Sequence, residues 1–216
     1  MPRPADSSLS PVPARWRFGT VLALGAWTVV LAAGFKIAVE YELRPGLAAP
    51  AELTRWPAGA EPRFDAARAK LVLFAHPQCP CSRASMAELA VIMTRCPDQV
   101  HVTVCFLSPT EEAEDWTHSA LWRTASAIPG VEVIADRDGQ LATRFGSVTS
   151  GQVLLFDRDG RKIFSGGITG ARGHEGENRG RNFVIALARG EVCDPTPTPV
   201  FGCSLRDASG LADPAQ

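Results

Sequence analysis

The sequence predicts an α/β domain, a central mixed sheet flanked by helices, behind one N-terminal transmembrane helix. Three observations carry this. Strand-period and helix-period patterns follow one another in the order βαβαβαββα over residues 70–190, as expected for a sheet with helices packed on it. An uncharged apolar run, Phe18 to Phe35, precedes them, and Cys79-Pro80-Cys81 stands at the corner between the first strand and the first helix.

Residues 1–17 place Pro2, Pro4, Pro11 and Pro13 among Ser and Arg, a composition expected of a disordered cytoplasmic tail. Residues 18–38 are expected to form the anchor. The run Phe18–Phe35 holds 18 uncharged residues, near the roughly 20 a spanning helix needs. Arg15 and Arg17 precede it, whereas Lys36 is soon followed by Glu40 and Glu42. The positive-inside rule therefore puts the N-terminus in the cytoplasm and the rest outside, a single-pass inner-membrane protein with a periplasmic C-terminal domain. A cleaved signal peptide competes, with Ala32-Ala33-Gly34 as a small-residue cleavage site. The run exceeds the roughly 7–15 residues of a signal-peptide core, which favours the anchor. Residues 39–69, rich in Pro, Ala and Glu, read as a linker.

Lys70–Ala75 is a buried-type strand, and Ser82–Arg95 carries Met86, Leu89, Ala90 and Met93 at helical spacing. Val100–Leu107 alternates as a strand with Val102, Val104 and Phe106 on one face. Glu111–Ile128 reads as one helix, Val131–Ala135 as a strand, and a short helix follows to Phe145. Gln152–Phe156 and Arg161–Phe164 are strands joined by Asp157-Arg158-Asp159-Gly160, a hairpin signal, and Arg179–Arg189 is the last helix. Residues 191–216 form a tail containing Cys and Pro.

Composition narrows the function classes. A net charge of −1 leaves no basic footprint for nucleic acid. Six cysteines in an exported domain suit an oxidising compartment but are too few for a disulfide-built scaffold, so apolar packing must supply the core. Two thiols at a strand-to-helix corner indicate a redox site, because unpaired N–H groups and the positive helix end favour the reactive thiolate. Pro80 suits the first helical position, which would put Cys79 at the N-cap facing outward and Cys81 behind it in the first turn.

Asp136-x-x-Gly139-x-x-Ala142-x-x-Phe145-Gly146, followed by Val153-Leu154-Leu155-Phe156-Asp157-x-x-Gly160, resembles the aspartate-glycine segments around the third and fourth strands of thioredoxin-like proteins. With the two-cysteine corner, the anchor and the Phe201-Gly202-Cys203 tail, the chain resembles membrane-anchored bacterial RedB-type redoxins from about Lys70 to Arg189. The resemblance implies a thiol–disulfide oxidoreductase with Cys79 attacking and Cys81 resolving, exchanging electrons with exported protein thiols or disulfides and needing no cofactor; if Cys81 does not resolve, Cys203 is the first candidate in its place. Two departures stand out. The family's Cys-x-x-Cys is here one residue shorter, and a disulfide across one residue closes a tight ring whose strain would make it oxidant-leaning. The family's cis-proline position falls on Gly151, which leaves the substrate-binding edge unspecified and room beside the sulfurs for a metal or another part of the chain.

Other readings follow from the same residues. A copper-binding protein would use His76, Cys79 and Cys81, since thiolate and imidazole suit copper. A thiol peroxidase is a third reading, although His76 occupies the position where such sites usually carry threonine or serine. His76 otherwise simply ends a strand. Cys96 and Cys105 read as buried free thiols. Cys193 and Cys203 bracket nine residues with little helix or strand capacity, a spacing open to a local structural disulfide. The glycine-rich stretch Gly166–Gly180 reads as a flexible surface loop, with His174 a candidate proton donor or ligand if the loop approaches the cysteines. The two Asp-Arg-Asp-Gly segments are turn chemistry, without the glutamate of a calcium loop.

Overall fold

The structure, a computed structural model, describes residues 14–47, 53–60, 62–64 and 66–205. Most of the expected N-terminal tail and the last eleven residues of the expected C-terminal tail lie outside these. The chain divides into two compact units, Met1–Tyr41 and Glu42–Gln216.

The first unit is built on helix α1, Ala14–Leu43. Within it, Phe18–Leu43 is apolar enough to cross a membrane, with mean hydropathy 1.9 in its most apolar window and none of that window buried. At 1.5 Å per residue the helix spans about 45 Å, more than a hydrocarbon core of roughly 30 Å. It begins inside the expected tail and outruns the expected anchor. Beyond Phe35 no Gly or Pro interrupts it before Pro45, and Lys36 pairs with Glu40 at 3.5 Å one turn on.

The second unit holds a five-stranded sheet of β1 Ala69–Ala75, β2 Val100–Ser108, β3 Val131–Arg137, β4 Gln152–Phe156 and β5 Lys162–Gly167, in spatial order β3-β2-β1-β4-β5. β1, β2 and β3 run parallel, and β4 and β5 are antiparallel additions. Central β1 is buried on both faces. Leu71, Leu73 and Ala75 join Met86, Leu89 and Ile92 of α2 (Ser82–Arg95) and Val184 and Ile185 of α6 (Arg179–Ala188). Val72 and Phe74 face the other way, onto Phe145, Phe156 and Leu205. Strand alternation thus sends consecutive residues into two cores.

The single helix expected over Glu111–Ile128 is broken into α3 Glu114–Thr117 and α4 Ala120–Ser126. Ser119 sits extended between them and its hydroxyl accepts the Trp122 N–H, a local bond that competes with helix continuation. Asp136 caps the short α5, Gln140–Arg144, accepting from the Leu141 and Ala142 N–H groups at 2.7 and 2.9 Å.

The segment expected to be a linker is largely part of the domain. Trp56 packs edge-on against Phe145 and Phe156, its backbone N–H donates to Gly160 O, and the Lys162 backbone N–H donates to Thr54 O. Counting Pro, Ala and Glu missed the aromatic Trp56 and Phe64, which pack on each other. The tail is also integral as far as Leu205. Val200, Phe201 and Leu205 are buried, Gly166 bridges to Thr198, and Thr149 bridges antiparallel to Ser204. Pro195, Pro197 and Pro199 lack N–H donors, so this strap attaches through isolated bridges rather than a full ladder.

Candidate functional site

The cysteine corner lies at the carboxyl end of β1, where α/β sheets place their ligands. After Ala75 the chain turns through His76 and Pro77. The Cys79 N–H donates to His76 O at 3.0 Å, and the Ser82 and Arg83 N–H groups donate to Cys79 O and Pro80 O at 3.2 and 3.3 Å. Cys81, at φ −65° and ψ −30°, is the N-cap of α2. The helix keeps its expected bounds, but Pro80 lies in the lead-in turn rather than at the first helical position, and the N-cap is Cys81 rather than Cys79. Cys79 does not face outward either, being 3% exposed against 9% for Cys81.

Opposite the corner runs the stretch Ser147–Gly151, entering β4. Gly151 has φ +90°, a backbone region that favours glycine, and its N–H donates to Phe74 O at 2.7 Å. Ser150 is fully buried. Its Oγ accepts the His76 N–H at 2.8 Å and lies 2.6 Å from Ser82 Oγ. With Ser150 donating to Ser82, the Ser82 proton is left for the Cys79 sulfur. The strap reaches the site from the far end of the chain. Cys203 O accepts the Ser150 N–H at 2.8 Å, and the Leu205 N–H donates to Val148 O at 2.9 Å. Arg172 fixes the strap from the side, donating from Nη1 to Gly202 O at 2.9 Å and from Nε to Arg44 O at 3.2 Å.

Four cysteine environments differ electrostatically. Burial alone pushes the Cys79 thiol up, but hydrogen bonds from the Cys203 thiol and N–H and from the Ser82 hydroxyl and N–H outweigh it, and its pKa falls. Burial, reinforced by the Cys79 partner, pushes Cys203 up to about 12. Cys81 is raised by burial and by the charge of Cys79, with the Arg172 guanidinium opposing. Cys105, on the Phe74 side of the sheet, is driven well up by burial. The corner thus favours the thiolate of Cys79 over those of Cys81 and Cys203.

A groove of about 380 Å³ opens beside Cys79, between Pro77, Gln78, Pro80 and Arg83 on one side and Ser119 and Leu121 at the start of α4 on the other. A larger hollow of about 470 Å³ between Trp56, Arg63 and Asp159 contains no thiol, so size does not mark the site.

A mixed sheet of this order, three parallel strands and an antiparallel pair with the cysteine corner after the central strand, decides the fold. It is thioredoxin-like. A hypothetical protein from Sinorhizobium meliloti superimposes with TM-score 0.54 at 23% identity, over 76% of this chain and 94% of that one. An uncharacterized conserved protein from Geobacillus kaustophilus does so with TM-score 0.54 at 19%, over 76% and 92%. The thioredoxin domain of a thiol-disulfide oxidoreductase from Bacteroides vulgatus is more distant, with TM-score 0.41 at 17% over 68% and 97%. No protein-family model matches the chain, and no curated protein matches it.

The thioredoxin-like fold brings Cys79 and Cys81 together, as expected, and adds Ser82, Ser150, Arg172 and Cys203. The stretch Gly166–Gly180 contributes Arg172 rather than His174, whose side chain is 58% exposed and lies 3.9 Å from Glu42. The loop is fastened at its far end by Glu88, which accepts from the Gly176 N–H and pairs with Arg181 at 2.8 Å while buried. Cys193 and Cys203, the pair whose spacing is open to a local disulfide, are both free thiols in this structure. The strap carries Cys203 to Cys79 instead, because Val200, Phe201 and Leu205 are buried and draw the tail onto the domain. His76 Nδ1 accepts the Gln78 N–H at 3.1 Å and its ring stands edge-on to Trp116. Among the described residues no three His, Cys, Asp or Glu side chains are grouped to hold a metal ion.

Proposed function

We propose that this chain is a thiol–disulfide oxidoreductase anchored in the inner membrane by α1, with its thioredoxin-like domain on the periplasmic side. Cys79 is the attacking thiolate, and a neighbouring thiol of the same corner, Cys81 in the sequence motif, resolves the mixed disulfide. Exported protein thiols or disulfides are its partners. One observation carries the reading: Cys79 receives hydrogen bonds from Ser82 and Cys203 that favour its charged form, and it borders an open groove. Buried structural thiols lack such donors and are inert.

The chemistry is tested by mixing reduced full-length protein in detergent with a small aromatic disulfide. Rapid release of the aromatic thiol that vanishes in Cys79→Ser is expected, and equal rates in both proteins would refute the reading. Tight Cu(I) binding lost on His76→Ala, without disulfide exchange, would replace it with the copper reading. For topology, a reporter fused after Gln216 should give a periplasmic signal and the protein should survive salt washing of membranes. A soluble, shortened product would mean cleavage near Gly34, and a cytoplasmic signal would remove the exported partners.

A further inference from the structure

We propose that Cys203, carried on the C-terminal strap, is the cysteine that closes the disulfide with Cys79, in place of Cys81. This rests on the exchange reading above and specifies how the adduct is resolved.

The geometry of the corner disfavours Cys81. Cys79 and Cys81 are separated only by Pro80 in the turn leading into α2, with their thiols within hydrogen-bonding reach, so what opposes a bond between them is ring size rather than distance. A disulfide across one intervening residue closes a tight ring that the backbone must move to accommodate, and strain makes such a bond easy to reduce. Here such movement would unwind the bonds from Ser82 to Cys79 O and from Arg83 to Pro80 O. Cys203 carries no such restriction. It arrives on a separate segment that adds to the Val148–Ser150 edge by two backbone bonds, as an extended peptide adds to an open edge. The seat is close-fitting: a Cβ on Gly202 would overlap the Ser150 carbonyl, so only glycine lets the strap approach this far. Anchors at Thr198, which donates to Gly167 O at 2.7 Å, and at Val200, whose carbonyl accepts the Gly46 N–H at 2.8 Å, hold the strap before it reaches the site.

The steps balance. The Cys79 thiolate attacks one sulfur of a disulfide R–S–S–R′ entering through the groove. That S–S bond breaks, R′S⁻ leaves and takes a proton from water, and Cys79–S–S–R remains. The negative charge on Cys79 is then gone, and with it part of what kept Cys203 protonated, while the Arg172 guanidinium still favours a thiolate there. Cys203 releases its proton and attacks Cys79 Sγ. The bond to R breaks, RS⁻ departs and is protonated, and Cys79–Cys203 is left. Two electrons have passed from two protein thiols to R–S–S–R′, which ends as two thiols. The groove lining is drawn from the corner and α4, so an adduct there leaves the strap's approach open.

The test is acid-quenched, non-reducing peptide mapping of full-length protein in detergent after one equivalent of a dithiodipyridine. A bond joining the Cys79 peptide to the Cys203 peptide is expected, still formed in Cys81→Ser. In Cys203→Ser the Cys79 adduct should persist at least tenfold longer. Gly202→Val, which keeps every thiol but lifts the strap, should slow closure to a similar degree. A bond within the peptide carrying Cys79 and Cys81, with Cys203 free, would overturn the proposal, as would wild-type closure rates in Cys203→Ser or Gly202→Val. Absence of any Cys79 adduct in the wild type would instead bring down the exchange reading itself.

Discussion

Cys105 and Cys79 are both sealed from solvent, at 1% and 3% exposure, yet their thiols are shifted in opposite directions. Cys105 lies mid-strand in β2 among Val72, Phe74 and Phe156, where burial dominates and the charges of Asp136 and Glu132 add to it. Cys79 is also desolvated, though less deeply than Cys105, and lies where a strand ends and a helix begins, so N–H and O–H groups converge on it. Burial alone therefore does not decide whether a thiol is reactive. The supply of hydrogen-bond donors does, and donors are concentrated at element ends rather than inside a strand ladder.

The comparison is broken most severely by exchanging the two cysteines' fates. Cys79→Ser should abolish exchange with a small disulfide, whereas Cys105→Ala should retain the wild-type rate and lose about 1 kcal/mol of stability, read by urea denaturation, as a small core truncation does. Loss of exchange in Cys105→Ala with the fold intact would contradict it. The next effect in size belongs to the donors. A hydrogen bond to a charged group contributes about 1.5–3 kcal/mol, so Ser82→Ala should raise the Cys79 titration midpoint by about 1–2 units. Site-resolved alkylation against pH measures this, and an unmoved midpoint would remove Ser82 from the account.

A smaller effect concerns alkaline stability. Cys203 has its folded-state pKa raised to about 12, above the ordinary thiol value of about 8.5. In that window the native state binds more protons than the unfolded one, so the contribution is complete below about 8.5 and is lost as pH climbs towards about 12. The urea midpoint of the wild type should fall more steeply over this window than that of Cys203→Ser, whose hydroxyl does not titrate there. Parallel curves would mean that the proton on Cys203 does not matter to the fold.

Part of this site was legible in the sequence and part was not. The bounds of α2 and β4, the α/β order and the Cys79 corner follow from periodicity and from thiols at a strand-to-helix junction, both local signals. The placement of the N-cap failed because Pro80 fits a lead-in turn as well as a first helical position, and only the bonds from Ser82 and Arg83 distinguish them. Ser150 and Arg172 were missed as partners of Cys79, and Cys203 was ranked behind Cys81 as a resolving thiol, because all three are long-range neighbours, fixed by where β4 and the strap pack. Signals existed for some of them. Ser150-Gly151 immediately precedes a buried strand, and Phe201-Gly202-Cys203 combines a core anchor, a residue able to approach backbone closely and a thiol. Composition argued the other way, since the prolines before it suggested a loose tail. The same bias hid Trp56 and Phe64 within a presumed linker.

The central claim is that the corner lowers the pKa of Cys79 from the ordinary thiol value and so favours its thiolate over those of its neighbours. It is tested most directly by alkylating the reduced full-length protein across a pH series and quantifying each cysteine by mass spectrometry. The account predicts a Cys79 midpoint below the ordinary thiol value of about 8.5, with Cys81 and Cys203 titrating above it and Cys105 unreactive until the protein unfolds. A Cys79 midpoint at or above the ordinary value, or Cys79 no more reactive at neutral pH than Cys105, would contradict it.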